Sequence, residues 1–173
     1  MEIQELIKNI KFGHYPQTAK GDILPIEWQV LSKEENKMLV ISKYGLEARC
    51  FDSRSSNWKK SEIRKWANKE FYNEAFNEEE KKHINSFEGN NVFLLSIDEA
   101  EKYFDNDDER MCKATEYAKA NGAGVNSYNG YSAWWLRSPR GGLVYSVLSC
   151  GFIDYDFVDF ANNLFRPALW IKI

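Results

Sequence analysis

The sequence lacks any apolar run near the roughly 20 residues that span a bilayer. Residues 1–5 have neither the basic region nor the apolar region of a secretory signal. These absences predict no membrane insertion and, by default, a cytoplasmic location, although surface display by another route stays open. The net charge is −3, with acidic and basic residues mixed along most of the chain. A basic stripe that would neutralise phosphates is therefore missing, and we expect no nucleic acid among the partners.

The sequence also lacks the spacings of common catalytic and metal sites. Its histidines, His14 and His83, have no Cys or His partner at ligand spacing, so each is expected to be a surface or core residue. The acidic run at 105–109 lacks the glycine and glutamate that an EF-hand loop requires, and we interpret it as the acidic start of a helix. No CxxC pair, Walker loop, GxGxxG or GxSxG is present. We predict no catalytic residue, no metal site and no cofactor. Three residues are expected to be reduced thiols: Cys50, Cys112 and Cys150.

Hydrophobic periodicity predicts the secondary structure near the N-terminus. Residues 1–11 place apolar side chains at the spacing of one helical face, which predicts a short helix. Period-two alternation over 26–31 and an apolar run over 38–42 predict the two strands of a hairpin. The segment 12–17 is expected to be extended or a turn, because Tyr15 precedes a proline.

The middle of the chain carries helix start and stop signals. Ser61 is a favourable N-cap, and Asn77 and Ser96 each precede a glutamate by three residues, as in a capping box. The dipeptide Asn-Gly at 121–122 favours a helix end. The predicted elements are helices over 61–76, 77–84, 96–104 and 110–120 and a strand over 92–95. From Gly122 onward, short β-prone runs replace the helical signals. A hairpin, a helical middle and a β-rich end predict one α+β domain over residues 1–173.

Two anchors bracket the C-terminal part of the chain. The first is Trp-Trp-Leu-Arg-Ser-Pro at 134–139, and the second is Arg-Pro-Ala-Leu-Trp at 166–170. We interpret both as fixed scaffold, in which the guanidinium groups of Arg137 and Arg166 tie loop carbonyls together. The segment between them, residues 141–165, is interpreted as the working surface.

The segment 141–165 contains no Lys, Glu, Gln, Met or Trp, although these types make up about a quarter of the chain. At that rate roughly six would be expected in the segment. The segment instead combines aromatic residues with Asp, Asn and Ser. Recognition loops use this mixture, because rings bring contact area and short polar side chains bring hydrogen bonds. A second interpretation stays open, in which the aromatic residues fill the core and the polar residues form turns.

The five missing residue types share a genetic property. They are the only types that no codon ending in C or T encodes. An AAC or AAT codon that is randomised only at its adenines yields the types that remain. The gap is therefore the pattern that adenine-targeted mutagenesis of Asn codons would leave.

Together these features resemble a bacterial family of uncharacterised domains. The resemblance covers nearly the whole chain and rests on the sequences at 12–17, 26–28 and 64–66, the two anchors and Gly151. The family is similar to the C-type lectin fold, in the branch of formylglycine-generating-enzyme-like proteins. That fold also serves the variable proteins of diversity-generating retroelements. In those, a C-terminal stretch is rewritten at adenines, and the altered side chains form a ligand-binding face.

The resemblance implies a non-enzymatic binding protein with a C-type-lectin-like fold and a protein or other macromolecule as its ligand. The implied scaffold residues are Trp134, Trp135, Leu136, Arg137, Gly151, Arg166 and Pro167. The implied ligand contacts are Tyr145, Ser146, Leu148, Phe152, Tyr155, Asp156, Phe157, Asp159, Phe160, Asn162 and Asn163. The residues expected to point into the core are Val147, Ile153 and Val158. The chain departs from the family pattern at Arg140 and at residues 164–165, both at the edges of the segment.

Two alternatives remain. The chain is similar enough to formylglycine-generating enzymes to suggest a copper- or thiol-dependent oxidase or an inactive relative, which requires two of the cysteines to lie close together. It is also compatible with a structural domain of a larger assembly, with its aromatic residues packed internally. The calcium-dependent sugar motifs of lectins are missing, so the fold implies neither calcium nor sugar.

Overall fold

Two five-stranded sheets organise residues 8–173, which are the residues that the computed structural model describes. The strands are β1 (Asn9–Pro16), β2 (Ile23–Lys33), β3 (Lys37–Ser42), β4 (Glu47–Ala48), β5 (Ile84–Asn85), β6 (Trp134–Arg140), β7 (Leu143–Val147), β8 (Ile153–Phe157), β9 (Leu164–Phe165) and β10 (Ala168–Lys172). The first sheet has the order β1-β2-β3-β10-β5, and the second has the order β4-β9-β6-β7-β8. Since β9 and β10 belong to different sheets, Arg166 and Pro167 carry the chain from one sheet to the other.

Short helices lie between the strands in the sequence. They are α1 (Glu62–Trp66), α2 (Tyr72–Ala75), α3 (Glu78–His83), α4 (Ile97–Tyr103), α5 (Asp107–Arg110) and α6 (Glu116–Ala120), with a wider helical turn at Ala67–Phe71 that joins α1 to α2. Across residues 8–173, no helix is both long and apolar enough to cross a membrane. The order of elements confirms the α+β class, with a hairpin first, helices in the middle and strands at the end.

The hairpin is confirmed, and the helix predicted over 1–11 is not. Strands β2 and β3 pair in antiparallel fashion, and the segment 12–17 is extended through Pro16 in β1. Of the four apolar residues in the predicted helix, Ile3, Leu6 and Ile7 lie outside the described residues. Ile10 lies in β1 and pairs with Trp28. Pairing with β2 thus overrides the helical spacing at the end of this stretch.

Both capping boxes are present as predicted. The side chains of Asn77 and Ser96 accept hydrogen bonds from the backbone of Glu80 and Glu99, whose carboxylates return to the N-cap N–H groups. The helix predicted over 110–120 is wrong, because the chain forms α5 and α6 with extended backbone between them. Thr115 caps α6, and the residues before it bridge to other segments, Cys112 to Ser132 and Ala114 to Gly45. The predicted stop is confirmed by Gly122, whose φ is +103°.

The strand predicted over 92–95 is also wrong, although all four of its side chains are buried. Phe93 exchanges two backbone hydrogen bonds with Ala168, at 3.1 and 2.8 Å, and forms only an isolated bridge. The apolar run therefore indicates only that side chains on both sides of the backbone are buried. An irregular buried segment satisfies this pattern as well as a strand does.

The core consists of two apolar clusters on opposite sides of β6. Trp135 belongs to the first cluster and Trp134 to the second, because successive residues of a strand point to opposite faces. The first cluster is rich in aromatic rings, with Phe71 packed edge-on against Phe165 at 5.0 Å between ring centroids. Strand β6 is therefore covered on both faces at its start, and this fixes the position of the strands that follow it.

Candidate ligand-binding face

The first anchor is fixed by buried indoles that also make hydrogen bonds. Trp134 and Trp135 are both fully buried. The Nε1–H of Trp134 donates to the carbonyl of Arg110 at 3.0 Å, and that of Trp135 donates to the carbonyl of Arg49 at 2.8 Å. Each ring thus ties β6 to a separate segment of chain, as the scaffold interpretation of these residues requires.

Two arginines join the anchors to their surroundings. Arg137 donates to the carbonyl of Leu94 at 2.7 Å and forms an ion pair with Glu99 of α4. Arg166 is buried between the two sheets and donates to the carbonyls of Ser42, at 2.9 Å, and Arg110, at 3.3 Å. Burial lowers the pKa of Arg166, but the opposing carbonyls supply the partners that a buried guanidinium needs. The predicted tying of carbonyls is confirmed for both residues.

Two hairpins present the segment 141–165. The first turns at Gly141 and Gly142 between β6 and β7, and the second turns over 148–151 between β7 and β8. Gly151 has a φ of +84°, and a Cβ there would overlap the backbone of Asp107. The carbonyl of Gly151 also accepts a hydrogen bond from Nε of the buried Arg110, at 2.9 Å. Only glycine fits this position, which locks the β7–β8 turn against α5.

Strand alternation divides the segment between two sides of the sheet. In the β7–β8 register, Tyr145 lies opposite Tyr155 and Leu143 lies opposite Phe157. These four residues share one side, which we call the aromatic side. The residues between them share the other side, which we call the polar side. The polar side of β7 and β8 consists of Val144, Ser146, Asp154 and Asp156. The predicted contacts therefore do not form one continuous face.

The aromatic side includes a stacked arginine. The guanidinium of Arg140, the last residue of β6, lies 4.1 Å from the ring centroid of Tyr155 and 5.9 Å from that of Tyr145. Cation–π contacts of this kind attract the guanidinium to both rings and favour their present positions. Tyr145 is half-buried, and the exposed ring of Phe157 extends the strip along β8.

On the polar side, two predicted contacts turn out to be buried. Ser146 is fully buried, and Asn163 is almost so. Asn163 Nδ2 donates to Asp156 Oδ2 at 2.9 Å, and Ser146 Oγ lies 3.4 Å from the same oxygen. The prediction of ligand contact is therefore wrong for Ser146 and Asn163. They hold the Asp156 carboxylate in place because each supplies a donor that this half-buried group requires.

Four aromatic rings in nine residues are exposed to solvent. Their exposed fractions are 56% for Phe152, 39% for Tyr155, 70% for Phe157 and 44% for Phe160. Asp159 and Asn162 are exposed beside them, and Leu148 is half-buried. The residues expected to point inward behave as predicted: Val147 and Val158 are buried, and Ile153 is half-buried against the second cluster.

A groove of about 440 Å³ lies next to this aromatic stretch. It brings together four of the predicted residues, namely Leu148, Phe160, Asn162 and Asn163. Its other wall is the loop at 124–133, whose Gly124 N–H donates to the Asn162 carbonyl at 3.0 Å. The side chain of Ser132 lines the groove, and its buried Oγ has no hydrogen-bond partner among the described residues.

The loop at 124–133 is held against the β7–β8 turn by asparagines. Asn126 Nδ2 donates to Ser149 Oγ at 3.0 Å, and Asn129 Nδ2 donates to the Ser149 carbonyl at 3.1 Å. At the tip of this loop, Tyr128 is 98% exposed. The candidate site is thus assembled from two separate stretches of sequence, the loop and the segment 141–165.

The anchors, the groove and the exposed rings all fall within one family match. The family model described as "Domain of unknown function (DUF6273)" matches residues 35–173. The chain belongs to this family. Neither the comparison with curated proteins nor that with solved structures produced a match.

In this DUF6273 domain, the cysteines and histidines considered for chemistry differ in their exposure. All three cysteines are free thiols: Cys50 is half-buried, Cys112 is buried, and Cys150 is exposed at the groove. Burial raises the pKa of the Cys112 thiol, which disfavours the reactive thiolate. Both histidines, at positions 14 and 83, are exposed, as predicted. Within residues 8–173, no three His, Cys, Asp or Glu side chains are grouped so as to hold a metal ion.

The acidic run at 105–109 starts a helix, as predicted, but that helix is α5 and not one that begins at Arg110. Asn106 caps α5 by accepting from the N–H of Glu109 at 3.0 Å, and the acidic residues occupy the first turn of the helix. Asp107 also pairs with Arg110 of the same helix. This pairing orients the Arg110 side chain, which reaches the carbonyl of Gly151.

Sequence reasoning missed Arg140 and the loop at 124–133. A signal for the loop was present, because its Asn-Ser-Tyr-Asn-Gly-Tyr at 126–131 has the same aromatic and short polar composition as the segment. The gap in Lys, Glu, Gln and Met in fact runs from Ala120 to Ile171 and includes the loop. Composition therefore marks the whole C-terminal part of the domain, and not the segment alone.

Proposed function

We propose that this chain is a non-enzymatic binding module with a C-type-lectin-like fold, and that its C-terminal face contacts a protein ligand. The observation that carries the proposal is the exposure of four aromatic rings within residues 152–160. Exposed aromatic rings set among short polar side chains provide contact area at low entropic cost. The rings stand on a scaffold that the buried indoles and arginines of the anchors hold rigid, so little ordering is required when a ligand binds.

The charge of this face favours a protein over a nucleic acid as the ligand. The segment 141–165 carries Asp154, Asp156 and Asp159 and no lysine or arginine. Arg140, which directly precedes the segment, contacts two tyrosine rings, and Arg110 is engaged by Asp107 and the Gly151 carbonyl. A face of this kind has no cation free to neutralise a phosphate backbone.

We further propose that the module is a variable protein of a diversity-generating retroelement. The segment lacks all five residue types that no codon ending in C or T encodes, and this absence supports the retroelement proposal. The gap in four of those types extends beyond the segment, so composition does not define the limits of the diversified region. Burial provides a sharper criterion, because only exposed positions tolerate free replacement of the side chain.

Deep sequencing of the 3′ end of the gene and its flanking DNA, from many cells of the source population, tests the retroelement proposal. Variable adenine-derived codons are expected at exposed positions: Phe152, Tyr155, Phe157, Asp159, Phe160 and Asn162. The buried positions Val144, Ser146, Val158 and Asn163 serve as internal controls and are expected to stay fixed, as are the codons of 8–120. Uniformly low variation without a nearby template copy would rule out diversification and leave an undiversified binding module.

The enzyme alternative makes a different prediction for the thiols. An oxidase of the formylglycine-generating type requires two cysteines that work together. We expect a thiol-specific reagent to modify Cys150 rapidly in the native protein and Cys112 only after unfolding, because one is exposed and the other buried. Protection of Cys150 together with Cys112, released by a reductant, would indicate a paired thiol site and would favour the enzyme.

A further inference from the structure

The outer edge of β8 is open for pairing. Strand β8 is the last strand of its sheet, and within residues 8–173 no strand lies beyond it. Leu148 N–H donates to the Phe152 carbonyl at 2.8 Å, so in an antiparallel ladder Asp154 and Asp156 also direct their backbone groups toward β7. The backbone groups of Ile153, Tyr155 and Phe157 therefore point away from the sheet.

The N–H of Tyr155 agrees with this assignment. It donates to the side chain of its own neighbour, Asp154 Oδ1, at 2.9 Å, and not to β7. The carbonyl of Phe157 accepts from Phe160 N–H at 3.1 Å, which closes the far end of the edge. The outward N–H and C=O of Ile153, the C=O of Tyr155 and the N–H of Phe157 remain available to a partner.

Edge strands that must stay unpaired carry lysine, proline or a bulge. Strand β8 has none of these in its sequence Ile-Asp-Tyr-Asp-Phe, and its register with β7 is regular. It carries exposed rings at Tyr155 and Phe157 instead. The protecting features of β8 are its two charged residues, Asp154 and Asp156. The Asp154 carboxylate accepts from the Tyr155 N–H, and a partner's carbonyl group can replace this exposed contact.

The two sides of β8 differ in chemistry, and this sets the composition of a strand that pairs with it. Side chains of an added strand would alternate between the aromatic side, beside Tyr155 and Phe157, and the polar side, beside Asp154 and Asp156. We propose that the outer edge of β8 binds an extended peptide segment of a partner protein, in which apolar residues alternate with lysine or arginine, as an added strand. This inference rests on the proposed binding function and specifies the form of its ligand.

A second copy of the chain fits this edge poorly. In an antiparallel pair centred on Tyr155, Asp154 of one copy would lie opposite Asp156 of the other. The two carboxylates would repel each other, and this repulsion would occur twice because the pair is symmetric. Like charges directly opposite each other destabilise a strand pair, whereas a basic strand meets both carboxylates favourably. Charge complementarity therefore selects a basic partner segment over self-association.

Fluorescence anisotropy with the full chain and a labelled, end-blocked ten-residue peptide of alternating lysine and valine tests the proposal. Two peptides serve as controls: the same sequence with N-methylated valines, and a peptide of equal composition with lysines and valines in pairs. Valines opposite Ile153 and Tyr155 would direct their backbone N–H groups at the free carbonyls of β8, and N-methylation removes those donors. We expect each control to bind at least about fivefold more weakly, the loss of about one hydrogen bond.

Variants of the protein separate backbone pairing from side-chain contact. Phe157→Pro removes an outward N–H that makes no bond to β7, whereas the matched Phe157→Ala removes the same ring and keeps that N–H. We expect the proline variant to bind the alternating peptide at least about threefold more weakly than the alanine variant. Asp154→Asn keeps an oxygen for the Tyr155 N–H and removes its charge. This variant is expected to bind the alternating peptide more weakly, and the affinity of that binding is expected to depend less on salt concentration.

The outcomes distinguish this inference from the broader proposed function. If the N-methylated peptide binds as well as the unmodified one and Phe157→Ala abolishes both, the face binds through side chains alone, and strand addition is refuted while the binding face stands. Sedimentation that reveals dimers of the wild type and monomers of Phe157→Pro would make a second copy the occupant and would likewise refute the proposal. Binding of none of the three peptides refutes it outright.

Discussion

Replacing Phe157 with alanine should hardly change the stability of the domain, and this separates a binding face from internal packing. Phe157 is 70% exposed, so less than a third of its surface is removed from water. Full burial of such a side chain contributes about 1.5–3 kcal/mol, and Phe157→Ala should therefore cost less than about 1 kcal/mol. For a domain of this size that corresponds to a decrease in Tm of about 4 °C or less.

Phe165→Ala is the matched control, because the same ring is removed from a buried site in β9. Phe165 is fully buried, with its centroid 5.0 Å from those of Trp66 and Phe71. Deleting a buried phenylalanine side chain costs about 3–5 kcal/mol, or roughly 6–20 °C in Tm. Thermal unfolding followed by circular dichroism compares the two variants. If Phe157→Ala lowers Tm as much as Phe165→Ala does, the ring is packed internally and the structural-domain alternative is favoured.

Two further predictions concern the scaffold. Gly151→Ala should destabilise the protein by at least about 2 kcal/mol more than Gly130→Ala, as measured by urea unfolding. Both glycines have positive φ, at +84° and +78°, but only at Gly151 would a new Cβ meet backbone atoms. Equal losses of stability in the two variants would refute the close approach at Gly151. Asp52→Asn should lower the free energy of unfolding by about 1–3 kcal/mol at pH 7, and this difference from wild type should shrink as the pH falls below about 4. Burial raises the pKa of Asp52, but hydrogen bonds from three backbone N–H groups outweigh burial, so the pKa is lowered. A carboxylate with a depressed pKa contributes stability that is present above the unfolded pKa and is lost as the pH falls through the folded one, so a difference independent of pH would contradict this role.

Asp52 matters to the site because of what its segment supports. The backbone N–H groups of Phe51 and Asp52 both donate to the carbonyl of Val158, at 2.9 and 3.0 Å. These bonds hold the chain directly after β8, between the exposed rings of Phe157 and Phe160. The position of the aromatic stretch thus depends on a segment about a hundred residues earlier in the sequence.

The sequence by itself determined the elements whose signals are local. Each capping box joins an N-cap side chain to the backbone only three residues away, so Asn77 and Ser96 specify helix starts without help from the rest of the fold. Period-two alternation identified β2 for a similar reason, since neighbouring residues alone define it. The anchors were also recognisable, because paired indoles and arginines beside prolines favour a buried, hydrogen-bonded scaffold.

Only the tertiary structure decided which polar residues of the segment reach solvent and which elements are strands. Ser146 and Asn163 have the composition of contact residues, yet both are buried around Asp156, because a half-buried carboxylate recruits donors that sequence spacing does not reveal. The helix predicted over 110–120 is interrupted because Cys112 and Ala114 bridge to segments distant in sequence. The groove, the stacking of Arg140 on Tyr155 and the open edge of β8 all arise from pairing between distant segments. Such contacts are set by the packing of the whole chain and leave no periodicity in the residues that make them.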